Sequence, residues 1–439
     1  MPPKQRFICA SPGPKSRAIV KRDQKIMSPS FTREFDFVYD HAKGNYIWDA
    51  DGKKYLDFCA SVAVMNIGHS NPVVIKAVQK QLQKGFHCGF TDFYAELPVQ
   101  FSEKLVSMLP SHLDTVFLSN SGTEAVECAY KCAKWHSNKE WFVAFEPSFH
   151  GRTMGSLSLT NSNPVQRERF GPFLPVKHVP YPYAYRLGLS EKSTVDYCLA
   201  ELESAFSVQK NNMAGVMFEP VSGEGGYIVP PTAFVKKLRK LCNDYNVLLC
   251  ADEVQSGSFR TGTFLAIENF RVTPDLVSMS KAIGGGLPLG ATIANRKVMD
   301  WPAGSHANTF GGNLIACAAG IASLDFMKKQ KLGENSKRMG AIIKREFEKF
   351  RPKSDILGDV RGIGLMIGLE IVKDKESKEV AKNLRQQILC KAAEKGLLLL
   401  PCGKSTIRIA PPLTINKSEA LRGTEILKEA IEEVEQQQK

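Results

Sequence analysis

Short apolar runs alternate with helical stretches between residues 115 and 295, and this alternation constrains the fold more than any other feature of the chain. The runs are rich in residue types that favour strands. They cover residues 115–120, 141–149, 213–221, 246–254, 275–280 and 289–295. Strands that alternate with helices form mostly parallel sheets whose two faces are covered. The pattern therefore predicts an α/β domain, in which a ligand binds beyond the carboxyl ends of the strands.

The segments on either side of this region predict a second, smaller domain. Residues 45–48 and 54–58 look like the two strands of a hairpin that precedes the large domain. Beyond residue 313 the chain reads as a helical region near 313–350, a strand-like run at 362–371, a helical stretch near 377–395, short strands at 397–400 and 406–409, and a polar helix near 417–437. We predict an N-terminal arm and hairpin that join the small domain (1–65), a large α/β domain (66–325) and a C-terminal small α+β domain (326–439).

Composition narrows the class of protein. The chain has 439 residues, of which 43% are hydrophobic and 23% charged, and these values exclude a disordered or fibrous chain. The 11 cysteines show no CxxC pair and no zinc-like spacing, so we expect reduced thiols, no metal site and a cytoplasmic location. No apolar run approaches the roughly 18 to 20 residues that span a bilayer, so we expect no membrane association.

The excess of positive charge predicts an anionic partner. Lys and Arg number 58 against 45 Asp and Glu, a formal net charge of +13 at pH 7. The candidate partners are nucleic acid, a membrane surface, and small phosphates or carboxylates. No basic stripe with interleaved aromatic residues and no nucleic-acid motif accompanies it, which disfavours a nucleic-acid binder. The basic first 22 residues predict an arm rather than a mitochondrial transit helix, because Pro2, Pro3, Pro12 and Pro14 break a helix.

Polar residues follow three of the predicted strands. Ser121, Gly122 and Thr123 begin a helix, whose first N–H groups suit a phosphate monoester, although such residues also cap helices with no ligand. Asp252 ends a buried strand; it is either a turn residue or the partner of a protonated ring nitrogen, with Val254 packed on the same ring.

A lysine follows the next strand along the chain. Lys281 precedes three glycines, which permit close approach of a ligand. It is either a solvated surface charge or a Schiff-base lysine, since a partly desolvated amine can lose its proton. A phosphate cradle, a carboxylate for a ring nitrogen and an imine-forming lysine are together what an enzyme dependent on pyridoxal 5′-phosphate needs.

The motifs around these residues resemble those of the class III aminotransferases, which are fold type I pyridoxal phosphate enzymes, over nearly the whole chain. The matching motifs lie at residues 121–125, 149–153, 219–226, 252–255, 260–262, 281, 309–313 and 408–413. The resemblance implies an α/β fold type I transferase with a large, mostly parallel sheet domain and a smaller α+β domain. It also implies a homodimer or a dimer of dimers.

The resemblance assigns roles to individual residues. Lys281 forms the Schiff base and Asp252 pairs with the ring nitrogen, so these two are the catalytic residues. Gln255 binds the ring hydroxyl, Phe149 stacks on the ring, and Thr309 reaches the phosphate of the neighbouring subunit. The full set of implied cofactor-binding residues is Ser121, Gly122, Thr123, Phe149, His150, Asp252, Val254, Gln255, Lys281 and Thr309.

The implied substrate-binding residues are fewer. Arg152 resembles the arginine that binds the distal carboxylate in 4-aminobutyrate aminotransferases, and Arg408 resembles the clamp on the α-carboxylate. Glu224 resembles the glutamate that covers this clamp when an ω-amino donor is bound, and Glu219 belongs to the same motif. Val62 stands where ornithine aminotransferases carry a tyrosine. For each arginine a salt bridge that locks the small domain is the alternative.

The resemblance leaves two reactions open. The segments near residues 12–15, 178–181, 226–231 and 281–287 look most like an archaeal branch of 4-aminobutyrate aminotransferases that also contains amino-acid racemases. A racemase needs a second acid or base, which the sequence does not identify. We expect an aminotransferase that moves an amino group from 4-aminobutyrate or a related amino acid to 2-oxoglutarate, and the alternative is a racemase of neutral or many amino acids.

Overall fold

The computed structural model describes residues 12–438, which form two compact units. One unit contains the residues up to Asn71 and those from Lys337 onward, and the other is Pro72–Ser336. The domain boundaries drawn from the sequence, after residues 65 and 325, stay a prediction. Among the described residues no helix combines the length and the apolar character needed to cross a membrane.

The strands and helices follow the sequence in this order. The strands are β1 (Tyr39–Lys43), β2 (Tyr46–Asp49), β3 (Lys54–Asp57), β4 (Thr115–Ser119), β5 (Trp141–Glu146), β6 (Val176–Pro180), β7 (Met213–Phe218), β8 (Leu248–Asp252), β9 (Leu276–Met279), β10 (Gly290–Ala294), β11 (Leu357–Ile363), β12 (Met366–Ile371), β13 (Leu397–Leu398), β14 (Leu400–Cys402) and β15 (Thr406–Ile409). The helices are α1 (Pro14–Ile26), α2 (Ala60–Ala63), α3 (Pro72–Leu82), α4 (Glu96–Val106), α5 (Gly122–Ser137), α6 (Met154–Leu159), α7 (Ala184–Leu187), α8 (Glu191–Gln209), α9 (Thr232–Asp244), α10 (Leu314–Lys329), α11 (Leu332–Phe350), α12 (Lys382–Glu394) and α13 (Lys417–Gln436).

The unit Pro72–Ser336 is built on a sheet with the strand order β4-β10-β9-β8-β7-β5-β6. β10 runs antiparallel to both of its neighbours, and the other neighbouring strands pair in parallel. The prediction of a mostly parallel α/β sheet is confirmed. The sequence analysis missed β6, because this edge strand is only partly buried and its residues do not form an apolar run.

Small side chains let α5 lie close to the sheet. Ala125, Ala129 and Ala133 repeat every fourth residue and are all buried. Ala129 and Ala133 belong to a buried cluster with Ala144 and Ala214 of the sheet. Close packing of this kind brings the beginning of α5 to the edge at which the parallel strands end.

The unit that contains both termini holds two four-stranded sheets, β1-β2-β3-β13 and β11-β12-β15-β14. The expected hairpin is present as β2 and β3, and β13 joins it in parallel, with Leu397 opposite Leu56. The run at 362–371, which the sequence presented as one strand, is split between two. The chain reverses there because Gly362 and Gly364 adopt positive φ angles of 144° and 58°.

The N-terminal segment differs from the expectation. Pro14 does not prevent a helix but is the first residue of α1, where a missing N–H costs nothing. Asp51 caps this helix by accepting hydrogen bonds from the N–H groups of Lys15 (3.0 Å) and Ser16 (2.9 Å). The expectation that Pro12 and Pro14 break the helix is therefore wrong for residues 14–26. Pro2 and Pro3, with the basic residues Lys4 and Arg6, lie outside the described residues.

The cysteines are not all free thiols. Most of those described are free and buried, such as Cys128, Cys132 and Cys250, and burial raises their thiol pKa values. Cys390 in α12 is disulfide-bonded, so the expectation of reduced thiols is wrong for this residue. Cys9 lies outside the described residues. The cytoplasmic location stays a prediction.

Gly340 provides a test of the packing in the terminal unit. A Cβ at this position of α11 would overlap the carbonyl group of Gly364, which is backbone and cannot turn away. Although alanine favours helices more than glycine does, we expect Gly340→Ala to destabilise the protein by about 1–3 kcal/mol. Thermal unfolding measures the change, with Lys337→Ala on the exposed face of the same helix as the control. An unfolding temperature for Gly340→Ala equal to that of the control would contradict this packing.

Candidate active site

The carboxyl ends of the parallel strands meet at one edge of the large sheet. Ser121 follows β4, His150 follows β5, Glu219 follows β7, Asp252 ends β8 and Lys281 follows β9. β10, which runs the opposite way, begins at this edge, with Gly290 opposite Ser119. Five polar residues, which range in sequence from Ser121 to Lys281, are thereby collected at the place where α/β sheets bind their ligands.

Asp252 is buried and held by two hydrogen bonds. His150 Nδ1 lies 2.7 Å from its Oδ2, and the N–H of Val254 donates to Oδ1 over 3.1 Å. A carboxylate only accepts, so the proton of the imidazole is on Nδ1. His150 Nε2 is buried and has no hydrogen-bond partner among residues 12–438. The ring of His150 thus holds the buried carboxylate of Asp252 in one orientation.

Glu219 ties the residues after β5 to those after β7. Its Oε2 accepts from the N–H of Phe149 (3.1 Å) and its Oε1 from the N–H of Gly223 (2.9 Å). Burial raises the pKa of this carboxyl to about 7, and nearby His150 opposes the shift. Glu219 therefore fixes the backbone of Phe149 rather than facing solvent.

Gln255 is placed by a residue that the sequence analysis did not select. The hydroxyl group of Tyr227 donates a hydrogen bond to Gln255 Oε1 over 2.8 Å, and Tyr227 is fully buried. A Cβ on Gly223 would lie 2.6 Å from Gln255 Nε2, so the glycine permits the amide to approach the backbone. Gln255 lies 28 positions after Tyr227 in sequence, so no local pattern pairs the two residues.

The beginning of α5 presents unpaired N–H groups. Ser121 is the N-cap and its Oγ accepts from the N–H of Glu124 over 3.3 Å. Within residues 12–438, the N–H groups of Gly122 and Thr123 have no hydrogen-bond partner. A Cβ on Gly122 would lie 2.6 Å from Cγ1 of Val254, so only glycine allows β8 and α5 to come this close. This arrangement fits a phosphate group.

Lys281 is the first residue of the short 3₁₀ helix Lys281–Gly284 and has a positive φ angle of 48°. The glycines after it are required by the backbone. Gly285 and Gly286 have φ angles of 60° and 105°, and a Cβ on Gly285 would lie 3.1 Å from the carbonyl oxygen of Ala319 in α10. The loop therefore packs closely on α10 and holds the half-buried Lys281 at the edge of the sheet.

The residues expected to bind substrate are divided between the two units. Arg152 is exposed, and its Cζ lies 5.6 Å from the centroid of the Phe149 ring. Glu224 is half-buried in the same unit, and Thr309 is exposed there. In the terminal unit Arg408 is buried in β15, and Val62 lies in α2.

The turn that carries Val62 has an unusual backbone. All four residues of α2 have positive φ angles, including 65° for Val62, so this turn is left-handed. Asp57 supports it by accepting from the N–H groups of Cys59 and Ala60, both at 2.8 Å, and from the ring of His69. The N–H of Ala410 donates to the carbonyl of Phe58 (2.8 Å), which links this region to the end of β15. Roles in substrate binding for these residues stay predictions.

Comparison with known proteins places the chain among aminotransferases and their relatives. The family model described as aminotransferase class III matches residues 27–431. An acetylornithine aminotransferase of Methanosarcina mazei is 38% identical, over 94% of this chain and 96% of its own. A probable 4-aminobutyrate aminotransferase of Bacillus subtilis is 36% identical, over 93% and 95%. A leucine/methionine racemase of Thermococcus litoralis is 33% identical, over 90% of both chains.

A solved structure has the same fold. The amine transaminase of an uncultivated Pseudomonas species, determined with pyridoxal phosphate bound, superposes with a TM-score of 0.88. It is 30% identical and the match covers 93% of this chain and 98% of the other. The α/β fold type I class expected from the sequence is confirmed.

The buried carboxyl group of Glu253, next to Asp252, provides a test of the electrostatics at this edge. Its Oε1 accepts from the N–H of Ile267 (2.9 Å) and its Oε2 from the hydroxyl of Ser256 (2.7 Å). Burial raises its pKa from 4.5 to about 7. The folded state therefore binds this proton more tightly than the unfolded state does, and the protein loses stability as the pH rises from about 4.5 through about 7.

Glu253→Gln keeps an acceptor for Ile267 and can donate to Ser256, but it does not ionise. We expect the difference in unfolding free energy between the variant and the wild type to shift in favour of the variant, by on the order of 1–3 kcal/mol, as the pH rises from about 5 to about 8. Thermal unfolding at both pH values measures the gain, and the exposed Glu201→Gln serves as the control. If the difference between Glu253→Gln and the wild type were the same at both pH values, the wild-type carboxyl would not titrate in this range.

Proposed function

Because this chain belongs to the class III aminotransferase family, we propose that it transfers an amino group from 4-aminobutyrate or a related amino acid to 2-oxoglutarate. Pyridoxal 5′-phosphate is the cofactor of this family. The observation that carries the proposal is the edge of the large sheet, where Asp252, Lys281 and the beginning of α5 meet beside Phe149 and Arg152. The relatives are named after different substrates, so the choice of amino donor in this proposal depends on Arg152.

The residues at this edge fit the cofactor. Its phosphate would be held by Ser121 and by the N–H groups of Gly122 and Thr123, which have no partner among residues 12–438. Its ring nitrogen would pair with Asp252, and Lys281 would bind it covalently. Gln255 would bind the ring hydroxyl, while Phe149 and Val254 would contact the ring. When bound, the cofactor accepts electrons from the substrate carbon that bears the nitrogen.

The chain itself orients these groups and moves the proton. His150 holds Asp252 in one orientation by a bond of 2.7 Å, so a ring nitrogen opposite this carboxylate stays protonated. After the amino group of the substrate has displaced Lys281 from the cofactor, the freed Nζ would remove the proton from the substrate carbon that bears the nitrogen. An aminotransferase then moves this proton away from that carbon, whereas a racemase supplies a proton to the opposite face of the same carbon.

Arg152 supports the choice of an ω-amino donor. Its guanidinium group is exposed and lies beside the ring of Phe149, so it can bind a carboxylate at the mouth of the site. A planar fork of N–H groups binds a carboxylate with two hydrogen bonds. We assign Arg408 to the α-carboxylate of glutamate, Glu224 to covering Arg408 when the donor is an ω-amino acid, and Val62 and Glu219 to the walls of the substrate site.

A homodimer completes this proposal. Thr309, which we assign to the phosphate of the partner subunit, is exposed, and Phe310 beside it is 60% exposed. Phe93 and Tyr94 of the same unit are also exposed, at 68% and 103%. The hydroxyl of Thr91 donates to the carbonyl of Asn308 over 3.0 Å, so the two segments that carry these aromatic side chains are in contact. Exposed apolar side chains grouped on a surface are typical of an interface. Dimers of such dimers remain compatible with this arrangement.

Lys281 is the residue on which the cofactor assignment depends. Borohydride treatment of the holoenzyme should fix the cofactor to Lys281, which peptide mass mapping detects. Lys281→Ala should abolish turnover because it removes both the amine that binds the cofactor and the base assigned to the substrate proton. The circular dichroism spectrum and the unfolding temperature of the variant should match those of the wild type. Lys297→Ala, in an exposed turn, is the control and should keep full activity. Repeated turnover by Lys281→Ala would contradict its role.

Racemisation is the second candidate, and the relative named leucine/methionine racemase favours it. Incubation of the holoenzyme with one enantiomer of leucine or methionine, without an oxo acid, distinguishes the two reactions. An aminotransferase without an acceptor stops after one half-reaction, so we expect no opposite enantiomer by chiral chromatography. Accumulation of the opposite enantiomer over many turnovers would instead identify a racemase.

A further inference from the structure

Glu127 lies one turn after Thr123 on α5, and its carboxylate contacts the segment that carries Arg152. Oε1 accepts hydrogen bonds from the hydroxyl of Thr153 (2.6 Å) and from the N–H of Ser156 (2.9 Å). Thr153 is the N-cap of α6 but its own side chain does not cap this helix. Glu127 therefore supplies the cap from the neighbouring helix, and Arg152 immediately precedes the capped turn.

Two glycines let the segment approach α5 this closely. A Cβ on Gly155 would overlap the carboxyl group of Glu127, and a Cβ on Gly151 would overlap the hydroxyl of Thr123. Gly151 also has a positive φ angle of 136°. The backbone on both sides of Arg152 is thus packed directly against two side chains of α5, and its position depends on them.

Three hydroxyl groups connect Glu127 to the first turn of α5. Each hydroxyl has one hydrogen to donate, and that of Thr153 goes to Glu127. Thr153 Oγ1 therefore accepts in its 2.8 Å contact with Thr123 and in its 3.0 Å contact with Ser156. The hydroxyl of Ser156 lies 2.5 Å from that of Thr123 and also donates to the carbonyl of Thr153 over 3.2 Å. The hydroxyls of Thr123, Thr153 and Ser156 are thus bonded to one another, and Thr153 is bonded to Glu127, so contacts join Glu127 to the first turn of α5.

From these contacts we propose that Glu127 is a positioning residue that links the phosphate-binding end of α5 to the substrate-binding Arg152. The inference rests on the proposed function, because it assumes that Arg152 binds the carboxylate of the donor. Glu127 makes no contact with the substrate in this proposal. It restricts the segment 151–156 to one position, so that the guanidinium of Arg152 meets the carboxylate without having to be ordered by it.

Single-turnover kinetics of the holoenzyme with 4-aminobutyrate, without an oxo acid, test the proposal. Glu127→Ala should raise the apparent dissociation constant about tenfold and change the limiting rate by less than about threefold, because it displaces Arg152 and not Lys281. Glu127→Gln keeps the acceptor at Oε1 and should bind within about threefold of the wild type. If Glu127→Ala does not fold, Thr153→Val, which removes the donor to Glu127, should weaken binding in the same direction. Lys134→Ala, elsewhere on α5, is the control.

A double-mutant cycle with Arg152→Ala identifies the route of the effect. If Glu127 acts through Arg152, the variant with both substitutions binds no more weakly than Arg152→Ala alone. The inference is overturned if Glu127→Ala binds like the wild type, if Glu127→Gln is as impaired as Glu127→Ala, or if Glu127→Ala weakens binding further when Arg152 is absent. If Arg152→Ala bound 4-aminobutyrate as tightly as the wild type does, both the inference and the proposed carboxylate site would be wrong. The three results above would overturn the inference alone.

Discussion

The common direction of the parallel strands is the constraint on which the rest of the structure depends. A crossover joins each pair of successive parallel strands and carries the chain back to the edge where strands begin, so all of these strands end at the opposite edge. The residues that follow β4, β5, β7, β8 and β9 are therefore neighbours in space, although they range from Ser121 to Lys281 in sequence. A helix N-terminus, a carboxylate and an amine therefore lie at one edge, because the ends of β4, β8 and β9 each supply one of them.

Burial of charge at this edge has a cost that the structure meets with hydrogen bonds. Glu219 and Glu253 are almost completely buried, and burial raises both pKa values to about 7. Both carboxyls accept hydrogen bonds from backbone N–H groups of other segments. Asp252 instead accepts from the ring of His150. The same contacts that compensate for lost water thus connect the strand ends into one rigid group.

The contacts of α5 connect two kinds of binding. Its first turn presents N–H groups that fit a phosphate, and its second turn presents Glu127, which holds the segment before α6. Because both belong to one helix packed on the sheet by small side chains, a displacement of α5 would move the phosphate site and Arg152 together. In the terminal unit, Asp57 holds the left-handed turn of α2 in a comparable way, with the ring of His69 as its second partner.

The sequence by itself determined the class of the fold, the strands from β4 to β10 except β6, and the strand-end positions of Ser121, Asp252 and Lys281. These follow from apolar periodicity and from residue types that have few other uses at such positions. The residues that hold the site, such as Tyr227, Thr153 and Glu127, were decided only by the tertiary structure. Their partners are 26 or more positions away, as for Thr153 and Glu127, so no local pattern marks them.

Local patterns also misjudged features that depend on distant groups. Pro14 begins a helix because Asp51, from another segment, supplies the acceptor for its first N–H groups. The run at 362–371 is two strands because glycines there adopt positive φ angles that composition alone does not reveal. Periodicity reports which face of an element is buried, whereas caps, hydrogen-bond partners and glycine contacts depend on which segments the fold brings together, and that is settled by packing in three dimensions.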